Sequence, residues 1–209
     1  MSLQKIVGAV LLVGAMTLGV PVRAAILFQD NFDADSPNSV LNFNSLLNWT
    51  VSDGTIDYIR SGDFGINCVG NTGGCLDMDG SSSDAGKITS KTTFNFLANV
   101  LYTFELMMSG NQRGGAPDTF SFGFVGFPLF NFTPAPLPFN QPFTTYSSSF
   151  TGFAFSAKIF VEGLGGDNVG SILDNVVLRD NRQAVDEPAT ALLVIMSVLA
   201  MGIRRRSKR

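Results

Sequence analysis

The chain contains no histidine. That absence removes Ser-His-Asp and Cys-His relays and any side chain that titrates unperturbed near neutral pH. It also removes the commonest nitrogen ligand of zinc, and two cysteines alone do not complete a tetrahedral site. Aromatic groups with a polar handle are scarce: one tryptophan, Trp49, and three tyrosines, Tyr58, Tyr102 and Tyr146. Trp49 and Tyr58 are the candidates for contact with a sugar-like ligand. For Trp49 the competing reading is core filling, because tryptophan is highly buried on average. Basic residues are also few in the body. Between Ala25 and Asp180 six Lys and Arg stand against fifteen Asp and Glu, a net −9, although the whole chain carries −3. Nucleic-acid binding depends on Lys and Arg neutralising phosphates, so nucleic acid is excluded as a partner. There is no Gly-rich phosphate loop followed by Lys-Ser/Thr. The body's only glutamates are Glu105, on a strand, and Glu162, beside a turn. Glycoside hydrolysis needs two carboxylates flanking one bond; a solvated strand face and a turn account for both glutamates. No catalytic residue is assigned.

Long apolar runs are missing too. The two that exist, Ile6–Val20 and Ala189–Ile203, are each 15 residues, short of the ~20 that span a bilayer. The first follows Lys5 and precedes Val22-Arg23-Ala24, the three-part pattern of a secretory signal peptide. Residues 1–24 are therefore expected to be removed by signal peptidase between Ala24 and Ala25. The second run would be about 22 Å long as a helix and ends in Arg204, Arg205, Arg206, Lys208 and Arg209. Those charges hold that end in the cytoplasm and leave the body outside.

What remains, residues 25–182, is long enough to bury a core and reads as all-β. Period-two alternation places Tyr102, Phe104, Leu106 and Met108 on one face. It recurs at Phe120, Phe122 and Phe124, and again at Phe153, Phe155, Ala157 and Ile159. Shorter strands are expected at Ala25–Phe32, Trp49–Val51, Thr55–Arg60, Cys75–Met78, Gly86–Thr89 and Ser171–Leu178. Clusters such as "DGSSSDAG" and "SGNQRGGAPD" mark the turns between them. Regular strands with no helical period predict a sandwich or jelly roll. The segment Phe127–Phe143 holds five of the nine prolines and five phenylalanines. Proline cannot donate to a sheet ladder, so this is a long loop or an edge excursion, whose rings either pack over the sandwich end, the favoured reading, or form an exposed apolar surface.

Cys68 and Cys75 enclose "CVGNTGGC". In an exported chain they are expected to form a local disulfide, worth about 2.5 kcal/mol at best by loop-closure entropy. Aspartate greatly outnumbers glutamate. Asp77, Asp79 and Asp84 share a Gly/Ser loop, but the spacing is not that of an EF-hand. Asp30, Asp33, Asp35 and Asp174 are further oxygen donors. Calcium ligands and ordinary turn formers are both open readings of these residues.

The tail "VDEPATALLVIMSVLAMGIRRRSKR" resembles a PEP-CTERM sorting signal: a Val-Pro-Glu-Pro-type motif, a short apolar helix and an Arg-rich end. Glu187 and Pro188 match, while Asp186 stands where the family has its first proline. The resemblance implies that residues 183–209 are recognised and cut by an exosortase in the inner membrane of a Gram-negative, exopolysaccharide-making bacterium. The mature protein would then reach the cell surface or the extracellular matrix. The stretches "NWTVSDGTIDYI", "LDMDGSSSDAGKITS", "SGNQRGGAPDTFSFGF" and "DNVGSILDNVVL" resemble a recurring PEP-CTERM ectodomain with a galactose-binding-like jelly roll. That resemblance implies a structural calcium on Asp33, after the first strand, and Asp174, in the last. Three functions follow as expectations. The first is a non-enzymatic, calcium-stabilised matrix protein that binds extracellular polysaccharide. The others are a polysaccharide-active enzyme and a permanently membrane-anchored structural protein.

Overall fold

In the computed structural model, residues 24–182 are described. Twelve strands follow in order: β1 (Ala25–Asp30), β2 (Trp49–Ser52), β3 (Asp57–Arg60), β4 (Gly74–Asp77), β5 (Lys87–Ser90), β6 (Phe94–Phe96), β7 (Tyr102–Ser109), β8 (Phe120–Phe124), β9 (Thr144–Phe150), β10 (Phe155–Ala157), β11 (Ile159–Gly163) and β12 (Ile172–Asp180). The only helical elements among the described residues are three single 3₁₀ turns, and none is long or apolar enough to cross a membrane. The all-β expectation holds.

The strands form two antiparallel sheets. The larger runs β3-β4-β12-β7-β9, with β1 also paired to β12, and the smaller runs β2-β5-β11-β8. A two-stranded ribbon of β6 and β10 closes one end. β12 is the organising strand. One edge pairs with β7 over most of its length, whereas the other is shared, Ile172–Leu173 lying on β4 and Val176–Asp180 on β1. Where the edge changes partner the register slips between Asp174 and Val177, and Asn175 takes a positive φ of 48°. A bulge of this kind re-aims side chains, and Asp174 sits in it.

The alternating faces read from the sequence meet between the sheets. Tyr102, Phe104, Leu106 and Met108 of β7 face Phe120, Phe122 and Phe124 of β8, all buried. Phe104 and Phe122 meet edge-on at 5.3 Å. Near the ribbon a knot of rings forms: Phe96–Phe124 at 5.2 Å, Phe124–Phe150 at 4.8 Å and Phe130–Phe150 at 4.8 Å. Such pairs add about 0.5–1.5 kcal/mol each beyond area burial, which explains how a core poor in Ile and Val holds.

Three expectations need correction. The run from Phe153 to Ile159 is not one strand: it breaks at Lys158, leaving β6 for the smaller sheet, and Phe153 is exposed. Its alternation spans two partners, so its first residue faces solvent. β6 and β9 were not expected. "TTYSSSF" is rich in serine and shows no apolar alternation, yet it pairs with β7 from Tyr102↔Phe150 to Met108↔Thr144. Thr144, Tyr146, Ser148 and Phe150 turn inward, and only two of these are apolar, so the edge strand carries too few apolar residues to announce itself.

Candidate functional site

The β12 bulge, the end of β1 and the loop before β4 converge on one acidic cavity. Asp174 is 4% exposed, and its carboxylate accepts the Val69 N–H at 3.0 Å and the Asn175 N–H at 2.7 Å. Asp33 accepts the Gly74 N–H at 2.8 Å on one oxygen and the Asn31 side-chain amide at 2.6 Å on the other. Gly73, at φ 72°, lies so close that a Cβ there would stand 1.7 Å from Asp33 Oδ1. Only glycine lets the loop close over this carboxylate. Asp33 and Asp174, with Asn31, Thr72 and Asn175, line a cavity of about 210 Å³. Burial pushes the Asp174 carboxyl up to about 7; the two backbone N–H groups oppose this, and the charges of Asp33 and Asp30 add to it. Among the described residues no lysine or arginine forms an ion pair with either carboxylate. Arg60 reaches only the Asp33 backbone carbonyl, at 3.3 Å.

The same loop builds a second, larger hollow. Cys68 and Cys75 are disulfide-bonded, as expected. The bridge packs with Ile59, Ile66, Ile172 and Phe143 on the outer side of the larger sheet, forming a small satellite core. Gln112 fixes the loop from the other side. Its side chain accepts the Asn67 N–H at 3.0 Å and donates to the Asn67 carbonyl at 2.9 Å and to Ser109 Oγ at 3.1 Å. Between this loop and residues 139–143 runs a cleft of about 450 Å³ whose walls include Asn67, Asn71, Phe139, Asn140, Gln141 and Phe143. No charged side chain lines it. Neutral amides beside phenylalanine edges suit a neutral, polyhydroxylated ligand and disfavour phosphate or carboxylate.

In a third group of acids Asp77 is closed by partners of this chain, while Asp79 keeps one buried oxygen, Oδ1, without a hydrogen-bond partner. Asp77, on β4 beside β12, is fully buried. One oxygen accepts the N–H groups of Asp79 (3.1 Å) and Gly170 (2.9 Å), and the other is ion-paired to the Arg113 guanidinium. Asp79 accepts the Asp167 N–H at 2.9 Å, and Asp118 accepts the Asn111 amide at 2.8 Å. Burial raises Asp77 to about 7 against the pull of Arg113 and two N–H groups. It raises Asp118 to about 6, opposed by Asn111.

The residues singled out by sequence divide accordingly. Asp33 and Asp174 face one cavity. Trp49 and Tyr58, the candidates for ligand contact, are both fully buried: Trp49 takes the core-filling reading, and Tyr58 is corrected to a core residue. Trp49 donates its indole N–H to Asp30 at 2.8 Å and meets Phe28 edge-on. Tyr58 is sealed against Gly74, where a Cβ would lie 2.1 Å from its hydroxyl. Glu105 pairs with Arg179 at 3.0 Å on β7, and Glu162 with Lys87 at 3.5 Å on β11. They lie in different sheets, each alternating with inward-facing residues, so they do not flank one bond. Ala25 opens β1 opposite Asp180, immediately after Ala24. Glu187 and Pro188 lie outside the described residues. The cleft itself has no local signature in the sequence, since its walls come from three segments far apart in the chain. The proline-rich loop divides: Phe127 and Phe130 pack against the core, whereas Phe139 and Phe143 flank the cleft.

No family profile matches the chain, and no curated protein matches it. Its fold is shared with solved structures of low identity. A Stig cyclase, Fisc, from Fischerella sp. TAU, solved with an indole ligand, matches at a TM-score of 0.55 and 12% identity, over 78% of this chain and 100% of that one. The CBM22-1 xylan-binding domain of Paenibacillus barcinonensis Xyn10C gives 0.49 and 12%, over 79% and 100%. The CBM22-1–GH10 piece of Clostridium thermocellum xylanase 10B gives 0.47 and 15%, over 77% of this chain and 29% of that one. The chain thus spans under a third of that xylanase piece. The likeness to the cyclase shows a shared β-sandwich fold and leaves function to the site.

Proposed function

We propose that the protein is a non-enzymatic, exported polysaccharide-binding domain of the cell surface or matrix. The observation that carries this is the uncharged, amide-walled cleft between the disulfide loop and residues 139–143. Sugar hydroxyls are met by Asn67, Asn71, Asn140 and Gln141, and the apolar faces of sugar rings by Phe139 and Phe143. Calcium belongs to the neighbouring cavity: an all-oxygen donor set, the buried Asp174 and the exposed Asp33 carboxylates and no ion-paired cation fit a hard cation. Asp33 and Asp174 would hold it, with Asn31, Asn175 and Thr72 at hand. By neutralising two carboxylates beneath Val69, the ion would stiffen the loop that also forms the cleft wall. Export is supported by the leader, which ends where β1 begins, and by the disulfide, which suits an oxidising compartment. Signal peptidase would release residues 25–209. An exosortase would then recognise Glu187-Pro188 while the apolar run holds the precursor in the inner membrane.

The test is retention of the full chain on a panel of neutral and acidic polysaccharides. Binding to a neutral polymer that weakens about tenfold in Asn140→Ala and Phe139→Ala, with unchanged melting, supports the reading. Release of new reducing ends would replace it with the enzymatic one. The mass of the C-terminus recovered from the native envelope tests sorting, and an intact Arg209 would overturn it.

A further inference from the structure

The two ends of the sandwich differ in charge. At one end lie the loops 97–101, 125–130 and 151–155, "LANVL", "VGFPLF" and "TGFAF", which contain no charged residue in a body of net −9. They form a single surface. The Asn99 N–H donates to the Gly152 carbonyl at 2.9 Å, and the Val125 N–H to the Lys158 carbonyl at 2.9 Å. Phe153 lies 6.2 Å from Phe127 and 6.4 Å from Phe130, which flank Leu129. Leu97, Leu101, Val125, Leu129 and Phe153 all project to solvent there, Leu129 at 90% exposure. Monomeric soluble proteins seldom leave such a patch bare.

The first and last strands of the described residues begin and end at this surface. Ala25 pairs with Asp180, and the Asn181 N–H donates to the Leu101 carbonyl at 2.9 Å. Only six residues, 183–188, separate Arg182 from the apolar run that starts at Ala189. Even fully extended they reach about 24 Å. Given the proposed seating of that run in the inner membrane, this end of the sandwich is the one tethered next to the bilayer, and the acidic end around Asp77, Asp79 and Asp118 is the far one. The charges nearest the apolar loops are Lys158 and Arg182 with its ion-pair partner Asp180, so the one left unpaired among the described residues is the basic Lys158, which suits an anionic lipid surface.

We infer that the uncharged loop end of the precursor's sandwich rests on the outer face of the bilayer, inserting Leu129 and its neighbours at the lipid interface. Apolar side chains at that depth gain burial in the headgroup and acyl boundary. The contact is with lipid and would orient the short linker carrying Glu187-Pro188 along the membrane surface, where a membrane-embedded processing enzyme works. It rests on the anchored-precursor reading above.

The experiment uses the full, uncut chain in vesicles of phosphatidylethanolamine and phosphatidylglycerol containing brominated lipid. Single cysteines at Leu129 (Leu129→Cys) and, as control, at Leu164 (Leu164→Cys) carry a bimane label. Leu164 is 48% exposed and follows β11 at the opposite end. Several-fold stronger quenching at position 129 than at 164, in protein that floats with the vesicles, supports the inference. Equal quenching at both positions in floating protein overturns it while leaving the anchor reading intact. Failure to float overturns the anchor reading, and the inference with it. Strong 129-to-129 cross-linking without quenching assigns the patch to a second copy instead and also overturns it.

Discussion

Asp77 and Asp174 lie on neighbouring strands of one sheet, both almost fully buried, and both are pushed by burial up to about 7. Their partners differ. Asp77 has two backbone N–H groups and the Arg113 guanidinium; Asp174 has two backbone N–H groups and, across the cavity, the charge of Asp33. A carboxylate taken out of water needs a counter-charge or a proton. At Asp77 the protein supplies the charge itself, so that group is a structural tie between β4 and the loop carrying Arg113. At Asp174 no described residue supplies it, and the arrangement is complete only with a proton or an external cation. Similar burial and similar titration therefore serve opposite ends, closure in one place and reception in the other.

The largest effect should come from breaking the closed side. Arg113→Met leaves Asp77 buried without its cation, which typically costs 3–5 kcal/mol. The loss should be greatest above pH 7, where Asp77 is ionised, and smaller near pH 5, where it takes up a proton. Denaturant midpoints at the two pH values measure this. The double variant Arg113→Met/Asp77→Asn should recover much of the loss. An equal loss at both pH values, unrelieved in the double variant, would mean that Arg113 acts through packing of its stem alone.

On the open side the missing charge can be supplied from outside. Calcium sites of extracellular modules bind at about 0.1–1 mM. Calcium at ten times the dissociation constant stabilises the folded state by about 1.4 kcal/mol, a rise of about 3–5 °C for a domain of this size. Asp174→Asn should abolish the rise, and Asp77→Asn should leave it unchanged. Calorimetric scans in calcium and in chelator decide it. A rise that survives in Asp174→Asn would move the ion elsewhere, and equal loss in both variants would erase the distinction between the two groups.

How far the sequence discloses this depends on whether the relevant contacts are local. The strands with phenylalanine alternation are legible because one face of each is uniformly apolar, as in Phe120, Phe122 and Phe124. β9 is not legible: its inward positions include Ser148, and its strand character comes from β7 beside it. The disulfide is legible because eight residues and an export signal suffice. The Asp33–Asp174 cavity could be anticipated only through family resemblance, since 141 positions separate the two residues and nothing near either marks the other. The Arg113–Asp77 tie and the amide-walled cleft had no such guide. Both arise where turn-rich segments, which look alike in sequence, are brought together by the sheet.

The smallest effect is the sharpest check on the closed side, because it isolates protons from packing. Asp77 at about 7 and Asp118 at about 6 stand above the ordinary 3.8 of an unfolded aspartate. Between pH 4 and 7 the folded chain therefore holds protons that the unfolded chain has lost. Stability changes with pH in proportion to protons bound unfolded minus folded, which is negative here. The contribution of these two groups is fully present below about pH 4, declines as pH rises and is gone above about 7. Other carboxylates impose slopes of their own, so the informative quantity is the difference between the wild type and Asp77→Asn. With chelator present to silence the open cavity, urea midpoints taken from pH 5 to 8 should fall more steeply in the wild type than in Asp77→Asn. The two curves should diverge up to about pH 7 and run parallel beyond it. Parallel curves throughout would mean that Arg113 holds Asp77 ionised across the range. The closed group would then differ from the open one in its titration as well as in its partner.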